Sequence, residues 1–210
     1  MTSKTPSDLA GEQIKKWRLE RGMTAEQLAA RCAELGAPEI TSAVIANIET
    51  GRRDRATGRR RRTLTLEELC LFAEALDVPP VRLMVPLDGR TRLQVTPTVE
   101  MSTWRALFWV SGENDPADPD RRARWREAIG DLYSFRNLRD IISAANKAQG
   151  RGDTKGYEAQ LKEAAKLIEW GMLAHNVTPP ALPAEVIETM KTRGWLERAD
   201  EVPVRAKDDD

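Results

Sequence analysis

Residues Ile40 to Arg53, ITSAVIANIETGRR, combine buried-type aliphatics with unusually small polar side chains. Ile45 and Ile48 are three apart and share one face of a helix. Its other positions, Ser42, Ala43, Ala46 and Asn47, are all small or short, so the other face can come close to a flat partner. Those side chains suit the edges of base pairs. An asparagine amide pairs with adenine N6 and N7, a serine hydroxyl donates or accepts at several bases, and an alanine methyl packs on a thymine methyl. Ser42, Ala43 and Asn47 are therefore the candidate base-reading residues. Directly after them comes RRDRATGRRRRT, Arg52 to Thr63, with Arg52, Arg53, Arg55, Arg59, Arg60, Arg61 and Arg62 against the single acid Asp54. Like charges in such a run repel one another, and phosphates would neutralise them. Each neutralised phosphate adds roughly 0.9 to the salt slope of binding, and arginine also favours a narrow minor groove.

Covalent chemistry has little to work with. His175 is the one histidine, placed at a helix end where a cation meets the dipole favourably. Cys32 and Cys70 fall among apolar residues at helical spacing and are expected to be two buried thiols. There is no His-Glu-x-x-His, no phosphate loop and no Cys-x-x-Cys. The expectation is a protein without catalysis, metal or cofactor. The 33 basic and 33 acidic residues cancel, so only the local concentration of arginines carries information. No stretch approaches the ~20 apolar residues of a membrane span, and MTSKTPSDLAGEQ lacks the apolar core of a signal peptide. A cytoplasmic protein with no membrane partner is expected.

Five short helices must position the recognition residues. Residues 1–8 are polar and read as a mobile arm. The first helix carries Leu9, Ile14, Trp17 and Arg18 and ends near Gly22. Thr24 and Gln27 form a capping box for the second, whose stripe is Leu28, Ala29 and Cys32. Thr41 or Ser42 caps the third, and Gly51 stops it. Thr65 and Glu68 box the fourth, where Leu66, Leu69, Cys70, Ala73 and Leu76 fall at helical spacing. Pro79-Pro80 ends it and starts a short fifth helix that stops at Pro86. Residues 9–88 thus form one all-α unit.

In order and spacing, IKKWRLERGMTAEQLAARC, ITSAVIANIETGRR and LTLEELCLFAEALDVPPVRLM resemble the phage-repressor (Xre-type) helix-turn-helix family. The resemblance spans about Leu9 to Pro86. It implies a five-helix, lambda-repressor-like domain that binds double-stranded DNA, as a homodimer on a two-fold operator. By the same resemblance Thr24 and Thr41 stand where helix starts meet phosphates. Free N–H groups and the helix dipole give that placement a general physical reason. Arg18 and Glu49 match a family ion pair of structural role, tying the first helix to the third. The sequence departs from the pattern twice. AELGAPE lengthens the connection before the third helix, so either the second helix runs on or a wider loop joins them. The arginine-rich loop is the other departure.

Residues 89–103 read as a connector, with Leu93 and Val95 in a short extended piece. Residues 104–200 read as a mainly helical domain, for dimerisation or for receiving an effector. Trp104, Phe108 and Trp109 are packing anchors in its first helix. A long helix follows from Pro119 to about Ala148, with Trp125, Ile129, Leu132, Phe135, Leu138, Ile142 and Ala145 as its stripe. A second runs from Asp153 to His175 with Tyr157, Leu161, Ala164, Ile168 and Met172 on one face, and a third carries Val186, Ile187, Met190 and Trp195. The two long helices suit an antiparallel hairpin, and residues 201–210 an acidic tail. Two functions fit. One is a transcriptional regulator, a repressor. The other is an antitoxin-like module whose second half binds a protein partner while the first half autoregulates. A small molecule held between helices of the second half fits either.

Overall fold

The computed structural model describes residues 4–54, 56, 58, 60, 62–89, 92–96, 98–113 and 116–206. The chain is mainly helical and divides into two compact units, Met1–Asn114 and Asp115–Asp210.

In the first unit α1 (Pro6–Glu20) begins inside the stretch expected to be an arm. Thr5 and Asp8 form a capping box: Thr5 Oγ1 accepts the Asp8 N–H at 3.2 Å, and Asp8 Oδ2 accepts the Thr5 N–H at 3.0 Å. Pro6 pre-sets the first helical φ. A Thr-x-x-Asp box therefore replaces the expected disorder of residues 4–8, while residues 1–3 lie outside the described part. The second helix, α2 (Ala25–Glu34), starts on the Thr24–Gln27 box. It closes at Gly36, φ +91°, with the Ala37 N–H returning to the Cys32 carbonyl at 2.9 Å. A wider loop, Leu35–Thr41, then leads to α3 (Ser42–Thr50), so the second helix does not run on. Thr41, not Ser42, is the cap, and its Oγ1 accepts the Val44 N–H at 3.4 Å. Gly51 ends α3 in the left-handed region, φ +60°, a conformation that L side chains resist.

The fourth and fifth helices are α4 (Leu66–Ala75) and α5 (Pro80–Met84). Ile14, Leu28, Cys32, Ile45, Ile48, Phe72, Leu76 and Leu83 interlock as the core. Two expected members of the α4 stripe are corrected. Leu66 and Cys70 are exposed, and Phe72 is fully buried. The inward face of α4 is Leu69, Phe72, Ala73 and Leu76, at i, i+3, i+4 and i+7. Cys70 lies about 100° round the helix from Leu69 and so turns away. Cys32 is buried, and burial pushes its thiol up to about 11.

The expected connector is folded. β1 (Arg92–Gln94) pairs antiparallel with β2 (Glu100–Ser102), Leu93 opposite Met101. Ser102 caps α6 (Thr103–Val110). Leu93 and Ala106 join Leu9 and Val85 in a small second core, so both the hairpin and the Trp-bearing helix belong to the first unit. The division at Asn114 replaces the one expected at 103. Ala106 is the buried member of α6, whereas Trp104 stands outside and meets Phe108 edge-on at 4.6 Å.

The second unit is built on α7 (Pro119–Gly150) and α8 (Thr154–Lys166), which pack along one another across a turn at Gly152, φ +71°. From Lys166 the helix passes into a π-helical turn, Leu167–Met172, then a 3-10 turn, Leu173–His175. α9 (Ala184–Thr192) covers the end. Leu138, Ala145, Leu161, Ala164, Ile168, Met172 and Met190 form the core. The alanines let the helices approach closely. The buried residues of α7 are Leu138, Ala145 and Ala148, all in its C-terminal part. Leu132 and Phe135, expected in the same stripe, are exposed. The expected tail is held as far as Ala206: Val202 is buried, and Leu182 exchanges backbone hydrogen bonds with Pro203 and Arg205. Residues 207–210 lie outside the described part. Among the described residues no helix is long and apolar enough to cross a membrane.

Glycine positions give a direct test of this packing. A Cβ at Gly11 in α1 would run into the Ile48 carbonyl oxygen of α3, whereas one at Gly130 in α7 meets nothing within 4 Å. Gly11→Ala should therefore cost about 1–3 kcal/mol in urea unfolding. Gly130→Ala should stabilise by about 0.5–1 kcal/mol.

Candidate nucleic-acid interface

The last turn of α3 is held by α1. Arg18 grips Glu49 with two parallel hydrogen bonds, Nε to Oε1 at 2.6 Å and Nη2 to Oε2 at 2.8 Å. Its third nitrogen, Nη1, donates to the Met23 carbonyl at 2.8 Å. The Glu49 side chain is 5% exposed, so this bidentate pair sits in a site that little water reaches. The hydrogen bond to Glu49 raises the Arg18 pKa further above its ordinary value.

With that end fixed, the outer face of α3 presents Ala43, Ala46, Asn47 and Thr50, all exposed, while Ile45 and Ile48 point inward. Ser42 is half-buried at the edge of this face. The sequence reading missed Thr50. It follows Asn47 by three and Ala46 by four, so helical spacing alone could have found it. Its hydroxyl donates to the Ala46 carbonyl at 2.7 Å. Thr24 and Thr41 are exposed at the starts of α2 and α3, each accepting a backbone N–H of its own first turn. The N-terminal N–H groups beside them are the general reason that helix starts attract anions.

Arg53, Arg60 and Arg62 of the arginine loop are held by specific partners. Arg53 and Arg60 pair as an antiparallel bridge. Arg53 donates from Nη2 to Asp8 at 2.8 Å and from Nη1 to the Gly58 carbonyl at 3.1 Å. Arg60 turns inward: its side chain is 5% exposed, Nη1 lies 3.6 Å from Asp8 Oδ1, and Nη2 donates to the Ile48 carbonyl at the end of α3. This corrects the phosphate-contact role expected of Arg60, because a guanidinium packed between α1 and α3 does not reach a backbone outside. Arg62 pairs with Glu68, which the α4 capping box also uses. Arg53 and Arg62 each remain about two fifths exposed and Arg52 is exposed. Arg55, Arg59 and Arg61 lie outside the described residues.

Asp8 is thus the anchor of the loop, and sequence reading passed over it as part of an arm. Burial pushes its carboxyl up. The Thr5 hydrogen bonds and the charges of Arg53 and Arg60 outweigh that and hold it below the usual carboxylate value. Burial also lowers the pKa of Arg60, partly offset by Asp8. Among the described residues no three His, Cys, Asp or Glu side chains gather as a metal site. The chain matches no protein-family model, and comparison with curated proteins and with solved structures found no match.

Two stability predictions follow from this geometry. Glu49→Ala strands the Arg18 charge and should cost about 3–5 kcal/mol in chemical denaturation, whereas Arg18→Lys, with Glu49 intact, should keep part of the pair because only the planar fork is lost. Asp8 has a folded-state pKa below its unfolded value. Its contribution is therefore complete above about pH 4 and disappears as pH falls through the folded value. Asp8→Asn should lower stability at neutral pH and flatten the acid limb of the stability curve. An unchanged acid limb would remove Asp8 from this role.

Proposed function

We propose that the chain is a sequence-specific DNA-binding transcriptional regulator, a repressor. In this reading α1 to α5 form a five-helix domain of the phage-repressor (Xre-type) kind, and two copies bind a two-fold operator. The observation that carries it is the outer face of α3. Ala43, Ala46, Asn47 and Thr50 make an exposed, small-sided surface on a helix whose last turn is locked by Arg18–Glu49 and flanked by an arginine loop. A helix lying in the major groove needs small side chains for close approach and one or two amides for discrimination. Asn47 is the principal base reader, with Ser42, Ala43 and Thr50 beside it. Thr24, Thr41, Arg52, Arg53 and Arg62 supply phosphate contacts, Arg53 and Arg62 by exchanging a carboxylate of their own chain for a phosphate. Arg55, Arg59 and Arg61 complete the basic set. The chain carries out no catalysis.

A second reading is favoured by the second unit, where Trp170 is 72% exposed and Leu132, Tyr133 and Phe135 are also uncovered. Aromatic side chains left in water are typical anchors for a protein partner. An antitoxin-like module would use them to bind that partner.

The test is fluorescence anisotropy across a salt series, with a duplex from immediately upstream of the coding sequence and a scrambled duplex. A preference that survives rising salt supports the regulator. Asn47→Ala should then cost about 1–3 kcal/mol on the preferred duplex and little on the scrambled one. Equal losses on both would remove Asn47 as a base reader. Arg52→Ala should weaken both duplexes alike and reduce the salt slope by about 0.9. Arg60→Ala should instead act through loss of folding stability.

A further inference from the structure

A pocket of about 180 Å³ opens in the first unit, between the first turns of α1 and α4, the end of α5, β1 and α6. Leu9, Leu69, Val85, Leu93, Val95 and Trp109 are among the residues of its mainly apolar wall. In a chain whose residues are 31% charged, no described side chain lining this pocket carries a charge. Its polar side chains are few and neutral: Ser7 Oγ accepts the Leu64 N–H at 3.3 Å, Thr65 Oγ1 accepts the Glu68 N–H at 3.2 Å, and Gln94 is the one amide.

That lining selects the chemistry of an occupant. A carboxylate, phosphate or ammonium would lose its hydration and find no counter-charge, at a cost of several kcal/mol. A peptide would bring more backbone N–H and C=O groups than the few polar side chains of the wall can satisfy. An uncharged hydrocarbon surface loses nothing by entering and gains burial. The volume is that of a single ring, since dry apolar cavities of about 150 Å³ admit benzene. We propose that this pocket is a binding site for a small uncharged hydrophobic molecule, of the size of one substituted ring. The site is independent of the DNA reading, and it differs in place from the effector site expected in the second half of the chain. It shares the first turn of α1 with the arginine loop: Leu9 faces the pocket, and the neighbouring Asp8 holds Arg53 and Arg60.

The test is methyl-resolved NMR of the full chain, without DNA, titrated with toluene and separately with benzoate. Toluene should shift the methyls of Leu9, Val85, Leu93 and Val95 in a saturable way, and benzoate should leave them in place. Val110→Phe, which adds a ring at the pocket wall, should weaken toluene binding by about tenfold or more, 1.4 kcal/mol. Val95→Phe repeats the test from the residue that follows β1 should the first variant fail to fold. The proposal is overturned if toluene moves none of these methyls up to its solubility, or if benzoate binds as well. It also falls if a folded filled variant binds toluene as tightly as the parent. Methyl shifts that depend on protein concentration in place of toluene would assign the pocket to a second copy of the chain, and would likewise overturn it.

Discussion

The first unit depends on the contact between α1 and the last turn of α3. The polar fastenings among the described residues gather at Ile48–Arg53, with Arg60 folding back onto them. Arg18 takes Glu49 in a bidentate grip, Gly11 lets the Ile48 carbonyl come against the α1 backbone, and Asp8 holds Arg53 and Arg60. A side chain at position 11 would separate the helices and stretch both ion pairs at once. The contact therefore works as a unit, and its energies are not additive. It also divides α3 into an inward and an outward set of side chains. In the last turn Ile48 and Glu49 are committed to the fold, while Ala43, Ala46, Asn47 and Thr50 keep the outer face clear.

The same contact explains why the basic loop is not a uniform field of positive charge. A guanidinium as deeply placed as Arg60 is tolerable only beside a carboxylate and an acceptor. Asp8 and the Ile48 carbonyl provide these. The carbonyl sits at the negative end of the α3 dipole, which favours a cation there. Arg53 lies nearer the surface and shares Asp8, so one acid restrains both arginines. Arg62 is tethered in turn to the start of α4 through Glu68. An arginine's place in the run thus says little about its role; the carboxylates opposite decide which point inward.

The sequence made the helices legible because their ends are written in local chemistry. The Thr24–Gln27 and Thr65–Glu68 boxes, Gly51 and Pro79-Pro80 act over three or four residues, and each element starts or stops there. The Thr5–Asp8 box obeys the same rule and was missed because the acid arm of the box is an aspartate and the surrounding residues are polar. Burial was harder to read. Leu66 and Cys70 fit a helical stripe as well as Phe72 does, and only the direction from which α2 and α5 approach decides between them. The inward turn of Arg60 was not legible at all, since it depends on Asp8, far away in sequence. The hairpin β1–β2 is short, and its apolar residues needed the tertiary partner Ala106 to give them a face to bury.

The added hairpin and α6 have a physical rationale within the first unit. The main core closes around Phe72 without them. They bury a separate, smaller set of side chains against Leu9 and Val85, covering the first turn of α1 from the side opposite α3. That turn carries Asp8, so its position is fixed by packing on one side and by arginine charges on the other. A short N-terminal helix turn would fray if only its capping box held it. Packed between two clusters, it becomes rigid enough for Asp8 to hold a buried guanidinium. The placement of Arg53 and Arg60 then depends on apolar packing around Leu9 as well as on the charge of Asp8.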